Sequence, residues 1–433
     1  RYPAPTRPPH LAGQFFDLMA RLDFLPNSPT LMNAGRPLQQ LSACFVLPVE
    51  DSLESIFNAV KFQALIHQSG GGTGFSFSRI RPRADRVATT NGIASGPVSF
   101  MRVFNLSTDV IKQGGARRGA NMGILRVDHP DILEFIALKQ NPSEMTNFNL
   151  SVGITDRFMR AVQRRRTLPL INPHTGKIIR RVAAEAIFDQ LVQAAWQSGE
   201  PGVVFLDTIN RANPTPRLGE IEATNPCGEQ PLLPYESCTL GSINVARFVS
   251  THSGTAQIDY DRLDRVIPTA VRFLDNVIDV SRFPLPDQEM EAKTKRRIGL
   301  GVTGLADALI FCRTKYGSPQ SLRFVEKWLR VVRDSAYRAS VALAREKGAF
   351  PLFDADAYLA APNIVALPND IRTAIAAHGI RNGLLTSIAP TGTISLFAGN
   401  VSSGIEPCFA YSYKRRVDRK STRLNSSHVK RSR

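Results

Sequence analysis

At 433 residues the chain can bury a large core, and its length suits two or three domains or one big barrel. Its hydrophobic fraction of 43% is ordinary for a globular protein, no apolar run approaches a membrane span, and Arg1-Tyr2-Pro3-Ala4-Pro5 is no signal peptide. Five cysteines without a CxxC pair and seven scattered histidines argue against a zinc site and against a secreted disulfide framework. The formal charge is +17, but residues 414–433 alone hold nine Lys or Arg and one Asp. The remaining excess suits a protein that binds polyphosphates and does not demand nucleic acid.

In chain order, residues 11–25 read as an amphipathic helix, with Leu11, Phe15, Leu18, Met19 and Leu22 at helical spacing. A turn rich in hydroxyls and amides follows over Asn27–Gly35, then a strand over Cys44–Val49. Asp51 and Ser52 cap a helix that runs to about Gln68. Ser69–Ser76 is a glycine turn entering a strand over Phe75–Ile80, where glycine serves close approach to a ligand or simply a tight turn. Residues 89–96 form a polar loop, Pro97–Gln113 a helix, and Met122–Val127 a strand. Between the last two lies a basic loop whose Arg117 and Arg118 suit phosphate contact or a solvated turn equally.

Strands and helices then alternate to residue 206, as in α/β packing with parallel strands. Helices are expected over 260–280 and 319–347, and a strand over Leu384–Ala389. That strand runs into Pro390-Thr391-Gly392-Thr393-Ile394-Ser395, an entry suited to anions. The tail over 419–433 has almost no apolar content and no period. It is read as translated sequencing-adapter DNA on a truncated frame, in preference to a nucleic-acid arm, and the missing Met marks the start as a fragment.

The stretch with most chemistry is Asn225-Pro226-Cys227-Gly228-Glu229-Gln230, followed by Glu236-Ser237-Cys238. In an extended segment Asn225, Cys227 and Glu229 would share a face, uniting an amide, a thiol and a carboxylate. Pro226, Pro231 and Pro234 make the stretch a stiff loop rather than a helix. Cys312 and Cys408 read as ordinary apolar packing.

Four separated motifs, Ser-Pro-Thr-Leu-Met-Asn-Ala-Gly, Asn-Pro-Cys-Gly-Glu, Glu-Ser-Cys-x-Leu-Gly-Ser-Ile-Asn and Ala-Pro-Thr-Gly-Thr-Ile-Ser, together resemble the catalytic chain of a ribonucleotide reductase. The short gap between Cys227 and Cys238 is similar to the adenosylcobalamin-dependent class II enzymes, with the iron-dependent class I large subunit as the alternative. The resemblance implies a ten-stranded α/β barrel of two antiparallel-packed, five-stranded parallel halves around a finger loop. It implies an end of the helical region over 1–30 and a barrel over 31–416 that lacks its last strands.

By the same resemblance Cys227 is the thiyl radical, Glu229 the base on the 3′-hydroxyl, Asn225 a ribose contact, and Cys44 with Cys238 the reducing dithiol. Ser28, Thr30, Ser42, Gly71, Gly72, Pro390, Thr391, Gly392, Thr393 and Ser395 would bind substrate. Asp51, Arg117 and Arg118 would meet a deoxynucleotide effector at a homodimer interface. The family further implies adenosylcobalamin, a ribonucleotide substrate, a thioredoxin-like or other dithiol reductant, a cytoplasmic setting, and no metal-ligand cluster, membrane or nucleic acid. Competing readings are a nucleotide-binding protein without catalysis and a generic thiol–disulfide oxidoreductase.

Overall fold

One eight-stranded sheet organises the chain in the computed structural model, which describes residues 10–87, 92–111, 119–252, 255–408, 410, 412, 414–415 and 428–429. Arg117, Arg118, Gln113 and most of the 419–433 tail lie outside the described residues. Strands Cys44–Val46, Gly72–Ser76, Asn121–Arg126, Phe148–Ile154 and Gly202–Phe205 pair in parallel in that order. Parallel neighbours need a crossover, and helices Leu53–Gln68, Pro97–Val110, Ile132–Ala137 and Ala184–Ser198 lie in the connections.

At Cys44–Val46 the direction reverses, because that strand pairs antiparallel with Ser237–Asn244. On its other edge Ser237–Asn244 pairs in parallel with Ile298–Thr303. A five-stranded parallel half thus meets the opening strands of a second half head to tail, and the expected α/β barrel class is borne out.

Period-2 alternation divides the side chains between two faces. Outward residues Phe45, Phe75, Leu125, Leu150 and Val152 bury themselves under the first set of helices. Ile243, Ile298, Leu300 and Val302 do the same beneath Tyr260–Val280 and Pro319–Lys347. Inward residues Cys44, Val46, Met122, Ile124, Cys238 and Leu240 form a separate, smaller cluster. The sheet therefore separates two packing cores from one interior where polar chemistry can sit.

Several expected elements differ in detail. The first helix stops at Ala20, since Leu22 takes a positive φ of 57° and Phe24–Pro26 then pairs with Gly241–Ile243 as a buried strand. The expected turn at Asn27–Gly35 is instead a short helix, Ser28–Asn33, because Asn27 accepts the Thr30 N–H and Pro29 sits in the first turn. Leu384–Ala389 forms only a single bridge, Leu300 with Thr386. It leaves the strand path where the Ser387 carbonyl rides over Gly301, whose missing Cβ would lie 2.3 Å away. The tail contributes one two-residue antiparallel pairing, Lys414–Arg415 with His428–Val429.

Charged side chains brace the second half at depth. Glu236, just before Ser237–Asn244, accepts from Arg297 at 2.7 Å and Lys295 at 3.0 Å, and all three are almost fully buried. Arg296 turns the other way to Asp275, which Lys347 also reaches. A buried ion pair adds little net stability, but removing one partner strands the other. Glu236→Ala should cost about 3–5 kcal/mol, read as a lower urea midpoint with an unchanged slope.

Candidate active site

Cys44 and Cys238 lie directly opposite each other in the antiparallel pair, with both side chains inside the barrel. Facing positions in such a pair have Cα atoms about 4.5–5.5 Å apart, within the span a disulfide bridges. Burial pushes the Cys238 thiol well above its usual range, helped by its hydrogen bond with Cys44 and by the nearby Glu229 charge. No disulfide joins any described cysteines. The expected grouping of Cys44, Cys238 and Glu229 is therefore present, with Cys238 held as a neutral thiol.

The loop that carries Cys227 is a tight turn between the two-residue strands Ala223–Thr224 and Pro231–Leu232. Gly228 donates to the Asn225 carbonyl at 3.0 Å and takes φ 85°, which favours glycine. The expectation of an extended segment with Asn225, Cys227 and Glu229 on one face fails for that reason. Asn225 is fully buried, and its Oδ1 accepts the Gln230 N–H at 2.9 Å, closing the loop on itself. Its Nδ2 has no partner among the described residues. Cys227 is exposed at the tip.

Glycines seat this loop. A Cβ on Gly74 would lie 1.7 Å from the Thr224 carbonyl, and one on Gly72 would lie 2.7 Å from the Pro226 ring. The close backbone approach read from the glycine run is thus to the protein's own cysteine loop. The Gly71 and Gly72 N–H groups are spent on Ile66 and Ala43 carbonyls, which removes both as amide donors to a substrate. A Cβ on Gly71 would meet Ile66 and Phe45, so that position serves packing.

The hydroxyl-bearing segments split into two sets. Thr30 donates to the Leu41 carbonyl, Ser42 reaches Ser237 only at 3.5 Å, Thr391 bonds Thr303, and Ser395 bonds Ser403; these four are buried and brace the frame. Pro390, Gly392 and Thr393 are exposed and Ser28 half-buried. Leu25, Ile394 and Ala398 pack together, which sets the two segments side by side, and Ala389 belongs to the interior cluster that holds Cys44 and Cys238. Asp51 does not cap the following helix; Ser52 does. Asp51 instead accepts from the Arg81 backbone at 3.1 Å and from Arg81 Nε at 2.8 Å, with His174 at 3.4 Å.

Behind the loop, the outer side of Gly72–Ser76 is braced by a buried polar network that sequence reading missed. Thr73 Oγ1 donates to Asn121 Oδ1 at 2.7 Å, and Gln63 Nε2 donates to the same oxygen at 2.8 Å. His67 Nε2 meets Thr73 Oγ1 at 3.0 Å. Burial lowers His67 to about 4, against a smaller opposing pull from the Ala120 backbone. A depressed histidine stabilises fully above its unfolded value near 6.5, and that contribution is lost as pH falls toward 4. His67→Gln should abolish a stability loss of about 3 kcal/mol between pH 7 and 4, seen as a flatter pH dependence in urea titrations.

The two halves of an α/β sheet thus meet with Cys44 facing Cys238 across their seam and Cys227 on an inserted loop. The ribonucleotide reductase barrel-domain model matches residues 42–431, and the all-alpha-domain model of the same enzyme matches residues 4–39. The chain belongs to the ribonucleotide reductase family. It is 51% identical, over 94% of its length, to a vitamin B12-dependent ribonucleoside-diphosphate reductase of Thermoplasma acidophilum, covering 51% of that protein. Its identity to the enzyme of the same description from Mycobacterium tuberculosis strain CDC 1551 is also 51%, over 94% of this chain and 56% of that one. The Neurospora crassa ribonucleoside-diphosphate reductase large chain is more distant, at 29% over 93% of this chain and 48% of its own length. The chain spans about half the length of the curated relatives it matches.

Proposed function

We propose that the parent protein is an adenosylcobalamin-dependent ribonucleotide reductase that converts ribonucleoside diphosphates to 2′-deoxyribonucleotides. The observation that carries this reading is the pairing of Cys44 with Cys238 beside Glu229, inside the barrel and beside the Cys227 loop. The similarity to B12-dependent enzymes at 51% identity, against 29% for the large chain, favours the cobalamin class.

Cys227 suits an external radical source because its thiol is exposed at the loop tip. The chemistry adenosylcobalamin supplies when bound is a readily homolysed cobalt–carbon bond. A thiyl on Cys227 takes the 3′ hydrogen atom from the ribose and returns it at the end. Glu229 accepts the proton of the 3′-hydroxyl and later gives it back. The 2′-hydroxyl leaves as water with a proton from the dithiol, and burial keeps Cys238 protonated for that step. Cys44 and Cys238 give up two electrons and two protons in all and close an S–S bond, so a dithiol reductant must reopen it.

Asn225, whose side-chain NH2 has no partner among the described residues, is the ribose contact in this reading. Ser28, Gly392 and Thr393 are the groups left to meet the diphosphate. Homodimerisation is supported by exposed Leu53, Phe57, Leu106 and Val110 on helices Leu53–Gln68 and Pro97–Val110, which pack against each other. A deoxynucleotide effector would sit near that face, where Asp51 lies just ahead of helix Leu53–Gln68. Among the described residues no helix is long and apolar enough to cross a membrane, and no metal-ligand cluster occurs.

The full-length protein should reduce CDP with a dithiol reductant only when adenosylcobalamin is present. Cys227→Ser should lower turnover by at least about 10³-fold while nucleotide binding persists. Turnover that needs an added radical-generating subunit instead would move it to class I. A folded protein that binds nucleotides and turns over under neither condition would refute the enzyme reading.

A further inference from the structure

The segment bearing Cys227 and Glu229 is tied at each end by a side chain, one from each half of the sheet. Asn149 Nδ2 donates to the Pro226 carbonyl at 2.7 Å. That carbonyl belongs to the peptide joining Pro226 to Cys227, so the bond orients the amide plane next to the thiol-bearing carbon. Ser387 Oγ donates to the Glu229 carbonyl at 2.9 Å, fixing the peptide immediately after the carboxylate.

Both donors are placed by the sheet itself. Phe148, Leu150, Val152 and Ile154 are buried in the outer core, so Asn149 projects from the opposite, inner face of that strand. Ser387 rests on Ile298–Thr303, where a Cβ on Gly299 would come within 2.9 Å of the Ser387 Cβ. The departure of this segment from regular pairing is what carries its hydroxyl to the loop. Elsewhere the loop is gripped at Thr224 and Pro226 by Gly74 and Gly72 and closed on itself by Asn225. Those contacts hold its base, whereas Asn149 and Ser387 bracket the reactive tip.

We infer that Asn149 and Ser387 are positioning residues for the Cys227 thiol and the Glu229 carboxylate, an inference that rests on the reductase reading above. Hydrogen-atom transfer falls steeply with small misplacements of the reacting atoms, so loss of either tie lowers kcat more than it changes KM. Asn149 is itself exposed, and Asn149→Asp preserves its size while deleting the donor.

The test uses the full-length protein and three variants, Asn149→Asp, Asn149→Ala and Ser387→Ala. Three quantities are read: kcat and KM for CDP with saturating adenosylcobalamin, Tm, and the rate of Cys227 alkylation by iodoacetamide without cofactor. Each variant should lose about tenfold or more in kcat, keep KM within about twofold, and alkylate faster at Cys227 because the tip is released. Folded Asn149 variants with wild-type kcat and alkylation would overturn the inference, as would losses of kcat that simply track Tm. If wild type itself shows no turnover the reductase reading falls, and the alkylation rates still decide whether the two side chains hold the loop.

Discussion

The structure depends on one strand pairing, the antiparallel meeting of Cys44–Val46 with Ser237–Asn244. On the first side Cys44–Val46 through Gly202–Phe205 pair in parallel, and on the second Ser237–Asn244 pairs in parallel with Ile298–Thr303; Phe24–Pro26 adds a further antiparallel pairing to Ser237–Asn244, so this is where the two halves become one sheet. Strands that are far apart in sequence are held in register by backbone hydrogen bonds and, at the end of the seam, by Glu236 between Lys295 and Arg297. A one-residue slip would turn Cys44 and Cys238 out of the interior and Phe45 into it. The reactive pair is therefore specified by the same register that buries the outer cores.

Glycine supplies the second constraint. Gly72 and Gly74 in one half, and Gly299 and Gly301 in the other, occupy inward strand positions where a side chain would fill the space taken by the cysteine loop or by Ser387. Glycine in a strand interior weakens the strand, and here that cost is offset by backbone approach that no other residue permits. The loop thus lies against the sheet without a helix or a long tether, and the Asn149 and Ser387 hydrogen bonds hold its tip.

The order of strands and helices was largely legible, because long amphipathic segments such as Tyr260–Val280 and Pro319–Lys347 announce themselves by period. The cysteines and Glu229 were legible as motif residues, and the fold does bring Cys44, Cys238 and Glu229 together. The local shape of the loop was not, since Pro226 and Gly228 favour a turn over the extended form that alternation assumed. Gly-x-Gly at 72–74 and 299–301 carried a period-2 signal that, once taken as strand rather than turn, points to close packing on one face. Lys295-Arg296-Arg297 carried no readable signal, for all three are buried by partners, Glu236 and Asp275, that come from distant segments. Asn149 and Ser387 bear no local mark, for their roles exist only once the loop is inserted.

The central claim is that Cys44 and Cys238 are the paired thiols of the interior, with Cys227 set apart on its loop. Peptide mapping of the full-length protein after mild diamide oxidation tests this most directly. The account predicts that the first disulfide joins Cys44 to Cys238 while Cys227 stays open to alkylation. A first disulfide that includes Cys227, or oxidation that never joins Cys44 to Cys238, would contradict it.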